Sequence, residues 1–234
     1  MNIHRFRFLF FLSLVALISG CEGLKNDGRL REGVIEYNVT YPKLDPNSVL
    51  IELLPTKMTL SFKDDLFKTD LSAGFGMFKM NVIVRNDDKE VSQLVKLIND
   101  RFVVNYDEAA AIASNEQFPK IRLEHTGKVK TIAGFECKEA LVTVLNDSNE
   151  TFTIYYTDQI RLMESNWFTQ FTEIEGVLME YQVERYNLCS RFSALKVTAK
   201  EIDDNVFAVP DEYKEIQEQE MNDKMQDIFN NFSE

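Results

Sequence analysis

Histidine is nearly missing from this chain, with two in 234 residues, and cysteine and tryptophan are almost as scarce, at three and one. The cysteines are Cys21, Cys137 and Cys189, and no CxxC or HxxxH spacing occurs, so the usual zinc patterns are excluded and no metal is expected. GxSxG, a P-loop and a Rossmann glycine pattern are absent; Gly74-Phe75-Gly76 is a two-glycine fragment that reads as a turn or bulge. His125 lies beside Glu124 with no nucleophile in a known context, and the Asp64-Asp65, Asp87-Asp88 and Asp203-Asp204 pairs sit at expected turns. Neither a catalytic residue nor a cofactor is expected, and the reading is non-enzymatic. Positive charge is also short: 26 Lys and Arg stand against 38 Asp and Glu, a net charge of −12. Affinity for polyanions comes from Lys and Arg neutralising phosphates, so nucleic acid is excluded as a partner.

No apolar run approaches the roughly 20 residues that a spanning helix needs. The longest, Phe8–Ile18, is broken by Ser13 and follows Arg5 and Arg7, with no acidic residue before Glu22. A basic start, a short apolar core and small residues before a cut describe a signal peptide over residues 1–20. Leu17-Ile18-Ser19-Gly20-Cys21 reads as a lipobox, with the Cys21 thiol as the site of lipid attachment. Buried acyl carbons contribute about 0.8 kcal/mol each, so more than one chain makes a durable membrane anchor. The expected location is the cell envelope, the outer membrane ahead of the inner. Residues 21–32, with Gly23 and Gly28 and few large apolar side chains, read as a flexible tether. Cys137 and Cys189 then remain in a compartment that permits disulfides, either bonded to one another or as two separate buried thiols.

Period-two alternation dominates the middle of the chain. Ile35, Tyr37, Val39 and Tyr41 share one face; Met58, Leu60 and Phe62 repeat the pattern, as do Phe78, Met80, Val82 and Val84. Turns are expected at Asn86-Asp87-Asp88, Asn99-Asp100, Asn146–Asn149 and Asn187, which joins hairpins into an antiparallel meander. In the strand Phe135–Leu145 the apolar face switches near Lys138-Glu139, and a bulge there would account for it. Helices are expected at Asn47–Leu54, at Asp107–Ser114 behind an Asp107 cap, and in residues 211–234, where Asp211 would cap an amphipathic tail. The fold class is therefore mainly β (α+β), with a domain over residues 33–210 and a C-terminal helix.

Several short stretches carry a resemblance: Gly33-Val34-Ile35-Glu36-Tyr37, Thr131–Lys138, Tyr155-Tyr156-Thr157, Ile174–Tyr181 and Val206–Tyr213. In that order they resemble an uncharacterised family of Gram-negative secreted and lipid-anchored domains, similar in layout to the LolA/LolB-type lipoprotein carriers. The resemblance implies a curved antiparallel half-barrel capped by short helices, with an apolar cavity for acyl chains. Candidate lining residues are Tyr37, Phe62, Phe78, Met80, Phe152 and Tyr156, with Trp167 at a mouth. Two readings stand: a lipid or other apolar ligand held in that cavity, or an accessory component docking on an envelope protein with its interior filled.

Overall fold

Side-chain alternation translates directly into strands. The computed structural model describes residues 27–147 and 149–231; the signal segment 1–20 and Cys21 lie outside them. A first meander runs through β1 (Glu32–Thr40), β2 (Lys57–Lys63), β3 (Leu66–Ala73), β4 (Phe78–Arg85), β5 (Glu90–Leu97) and β6 (Asp100–Tyr106). A second runs through β7 (Ile121–Ile132), β8 (Phe135–Val144), β9 (Thr151–Thr157), β10 (Val177–Arg185) and β11 (Leu188–Ala199). The two join where β11 pairs antiparallel with β1, and with β12 (Lys214–Glu215) they make one open, curved, mostly antiparallel sheet of twelve strands. The close approach at this seam needs Gly33, where a Cβ would lie 2.5 Å from the Thr198 carbonyl oxygen.

Hairpin chemistry fixes the registers. Ala133 and Gly134 (φ 50° and 89°) form the two-residue turn between β7 and β8, and Tyr186 and Asn187 (φ 52° and 59°) do the same between β10 and β11. Two successive positive φ values give the turn whose twist matches the flanking strands. The apolar face of β8 does switch: Cys137 joins the main core, while Ala140 and Val142 join a second cluster with Ile154, Phe171 and Leu178. The irregularities lie on neighbouring strands instead of β8, in β7 between His125 and Val129 and in β10 between Leu178 and Glu180. From Lys138 to Thr143, β8 pairs with β9 without interruption.

Among the described residues, three α-helices attach to this sheet: α1 (Val49–Leu53), α2 (Glu108–Ser114) and α3 (Glu218–Asn231). Asp107 caps α2 as expected, its carboxylate accepting from the Ala110 amide at 2.9 Å. The tail departs from expectation. Asp211 caps nothing; the chain pairs as β12, parallel to β6, and the helix starts only at Glu218. Ile216 donates its amide to the Val103 carbonyl at 2.9 Å, so the β6 backbone claims this segment before helical spacing can. The tether is shorter than expected too. Leu30 forms a parallel bridge with Ile160, its amide donating to Gln159 and its carbonyl accepting from Arg161, and Glu32 already belongs to β1.

Both faces of the first meander are buried. Ile35, Tyr37, Phe62, Phe67, Val84 and Val95 belong to the main core, reinforced by Met221 and Met225 of α3. Alternate residues of the same strands, Ile83, Leu94 and Val103, point the other way and are covered by Ile202 and Phe207. The segment after β11 thus crosses the back of the sheet, pairs at the β6 edge and returns as α3 over the front. Lys63 holds the crossing by pairing with Asp204 at 2.6 Å, and Arg85 donates to the Phe207 carbonyl at 3.1 Å.

Cys137 and Cys189 are buried free thiols. They begin β8 and β11, which β10 and β9 separate, and alternating strand directions put them at opposite ends. Strands sit about 4.8 Å apart, so the separation far exceeds the ~7 Å between Cα atoms that a disulfide tolerates. Burial pushes both thiols up to about 11.

Candidate ligand cavity

The front face does not close. Tyr37 of β1, Met58 and Leu60 of β2, Leu71 of β3, and Met80 and Val82 of β4 floor a cavity of about 290 Å³. Tyr181 and Val183 of β10 and Phe192 of β11 wall it, and Leu54, Phe118 and Met225 border it from the helical side. The volume stands at the small end of ligand pockets, which run from about 300 to 1,000 Å³. Its surface is overwhelmingly apolar because the tyrosines present rings rather than hydroxyls. Tyr37 donates to the Leu178 carbonyl at 2.9 Å and Tyr41 to the Pro55 carbonyl at 2.6 Å. Burial raises the hydroxyls of Tyr37 and Tyr181 well above the ordinary tyrosine range, so neither is an acid or base at neutral pH.

The roof is the segment 158–176 between β9 and β10. A connection longer than about 12–15 residues without secondary structure of its own is uncommon in a compact domain and usually functional. Here it contributes Leu162, Phe168 and Phe171 to the cavity. Phe168 stacks on Phe67 with centroids 6.3 Å apart, and Phe171 meets Tyr181 edge-on at 6.2 Å. Polar groups tie the segment down, and Ser165 and Asn166 themselves border the cavity. Asn166 donates to the carbonyls of Ile174 (2.8 Å) and Gly176 (2.9 Å), and Ser165 to Gly176 at 3.2 Å. Asn86 accepts from the Trp167 indole at 3.1 Å and donates to the Met163 carbonyl at 2.8 Å; Asn115 donates to the Thr169 carbonyl at 2.8 Å.

Of the residues expected to line a pocket, the structure brings Tyr37, Phe78 and Met80 together at this cavity. Phe62 shares their face but is wholly buried in the core, in register with Phe67 of β3. Phe152 packs in the second cluster with Val142 and Ile154. Tyr156 and Trp167 line a different place, an open polar groove of about 1060 Å³ with His125, Lys138, Asp158 and Glu175. There the Tyr156 hydroxyl lies 3.1 Å from His125 Nδ1, and Lys138 pairs with Asp158 at 2.7 Å. Among the described residues, no three His, Cys, Asp or Glu side chains gather as a metal would require.

Arg185 is not among the residues expected from the sequence. It lines the cavity and also a polar depression outside it, beside Gln117, Asn222 and Asp223. A signal is present: Tyr181, Val183 and Arg185 occupy successive positions on one face of β10, so a charge falls in register with apolar neighbours.

No curated protein matches the chain in sequence. Among solved structures, PNGF-II superposes with a TM-score of 0.51 at 16% identity over 84% of this chain. This chain spans only 32% of the length of PNGF-II, and the likeness concerns the fold alone. Looser likenesses are to MucB (TM-score 0.32, 9% identity, 79% of this chain and 59% of that one) and to LprF from Mycobacterium bovis (0.31, 10%, 78% and 90%). Superpositions that loose carry nothing over to this chain. Residues 33–173, more than half of the sequence, match the family described as "Domain of unknown function (DUF4412)", and the chain belongs to that family.

Proposed function

We propose that this is a non-enzymatic, lipid-anchored protein of the cell envelope that holds a lipid or other apolar ligand between its curved sheet and the 158–176 segment. The layout is that of a half-barrel closed by short helices, as in the LolA/LolB-type carriers, and Cys21 is the lipidation site. The observation that carries this reading is the apolar cavity itself, left open on a sheet whose opposite face is packed shut. Core voids large enough for a ligand are rare because packing is otherwise as dense as in organic crystals. Flexible Met58 and Met80 beside flat aromatic rings suit a pocket that adapts to variable chains.

Native mass spectrometry on the full chain carrying Cys21→Ser, exported and purified without detergent, tests the proposal. A discrete adduct of lipid mass is expected, and Val82→Phe, which pushes a ring into the cavity, should abolish it. A bare protein mass would sink the ligand-binding reading and favour the accessory component that docks on another envelope protein.

A further inference from the structure

We propose that the cavity takes a single-chain amphiphile with an anionic head, the chain inside and the head on Arg185 at the mouth; this rests on the ligand-binding reading above. Arg185 is the residue shared by the apolar cavity and the polar depression outside it, together with its neighbour Tyr186. A group that borders both compartments sits where the head of an amphiphile would emerge.

The guanidinium is held in place and left without an anion. Its centre lies 5.5 Å from the Phe118 ring and 4.9 Å from the Tyr186 ring, so two aromatic faces orient its plane. One NH2 group donates to Asn222 Oδ1 at 3.2 Å, an oxygen that also accepts from the Tyr186 hydroxyl at 2.9 Å. Its Nε is buried with no protein acceptor, and among the described residues no carboxylate pairs with Arg185. That is notable in a chain with 38 acidic residues against 26 basic ones. Three acids close by have other partners, a lysine for Glu184 and neutral amides for Asp223 and Glu218. Glu184 pairs with Lys43 at 2.7 Å, Asp223 accepts from Gln219 at 2.8 Å, and Glu218 accepts from Gln117 at 3.0 Å. Tyr186 reaches its position through a positive φ of 52°, uncommon for a bulky residue, within the two-residue turn that also sets Arg185 at the strand end.

The chemistry that fills an oriented guanidinium is a carboxylate or a phosphate, either of which accepts two parallel N–H bonds. The cavity bounds the other end. At about 290 Å³ it lies at the small end of ligand pockets, a size that suits one acyl chain better than two.

The test is calorimetric titration of the full chain carrying Cys21→Ser, stripped of bound lipid, with dodecanoate, dodecyl phosphate and dodecanol. One anion or both should bind about tenfold or more tightly than dodecanol, and the tighter anion identifies the head group. In Arg185→Gln the ratio of anion to alcohol affinity should collapse toward one, while Arg185→Lys should keep part of it. Equal binding of all three to the unaltered residue, or a ratio that persists in Arg185→Gln, would overturn the anionic head and leave the cavity reading intact. Failure of all three to bind would overturn this proposal, and the adduct or bare mass in native mass spectrometry then decides the cavity reading by itself. Should Arg185→Gln not fold, the three-ligand comparison and Arg185→Lys still decide.

Discussion

The two faces of the first meander are made by the same strands and finished in opposite ways. On the back, Ile83, Leu94 and Val103 meet Ile202 and Phe207 in one packed cluster. On the front, Leu71, Met80 and Val82 look into open volume, and the segment above them is hung from backbone carbonyls by Asn166, Ser165, Asn86 and Asn115. Apolar side chains close one face because burial of their surface is the fastening. Polar fastening lets the aromatic roof span a gap without collapsing into it. A void kept open by fixed hydrogen bonds persists, whereas a void left by poor packing would relax.

That contrast can be broken at four points. The largest effect belongs to the packed face: Phe207→Ala should cost about 3–5 kcal/mol in urea unfolding, as removal of a buried ring does. A loss below ~1 kcal/mol there would mean that the back is not sealed by this segment. Next comes the roof. Asn166→Ala removes the side-chain donor to the Ile174 carbonyl and leaves the Gly176 carbonyl with Ser165 alone; it should cost about 1–3 kcal/mol, with loosening of residues 158–176 seen by hydrogen exchange. If exchange there does not rise, the asparagine is not what suspends the roof.

A smaller effect is expected from Glu180, which pairs with Lys130 of β7 at 2.8 Å and with Arg191 of β11. Burial raises its pKa, but the bonds from Lys130 and Arg191 outweigh that and hold the carboxyl below its ordinary value of 4.5. A depressed carboxyl stabilises the fold above the unfolded value and loses that contribution as pH falls through the folded one. Glu180→Gln should therefore lose on the order of 1 kcal/mol at neutral pH, with the gap to the parent closing below pH 4.5. A gap that is constant across pH would assign the cost to packing instead. The smallest change in stability is expected from Val82→Phe, within roughly 1 kcal/mol because the ring enters space already open. A large destabilisation by this variant would show that the front is as full as the back.

Much of the sheet is legible in the sequence and the roof is not. β1, β2 and β4 announce themselves because one face of each is apolar throughout. β3 escapes the pattern: Thr69 stands between Phe67 and Leu71 on the front face, diluting the alternation just where the cavity needs floor rather than filling. β7 is similarly quiet, since it is an edge strand whose residues are mostly exposed, and only its mate β8 shows a pattern. The 158–176 segment has no period to read. It is placed by side chains that bond to main-chain carbonyls across the fold, and such acceptors carry no sequence signature. The same reason explains why the sequence alone groups Tyr156 and Trp167 with the cavity residues. Their aromatic character is visible there, but the bulge in β10 that turns this end of the sheet is not.

The seam between β1 and β11 has a temporal consequence. Among the described residues, every other antiparallel pairing in the sheet joins strands that are neighbours in sequence, so each meander can zip up locally as hairpins do. The seam alone unites residues near 33–40 with residues near 191–199, and a closure that distant waits for the whole intervening chain. Until β11 is available, β1 presents an unpaired edge and Tyr37 has no Leu178 carbonyl to bond. The cavity, floored by β1 to β4 and walled by β10 and β11, therefore cannot be complete until β11 has been synthesised.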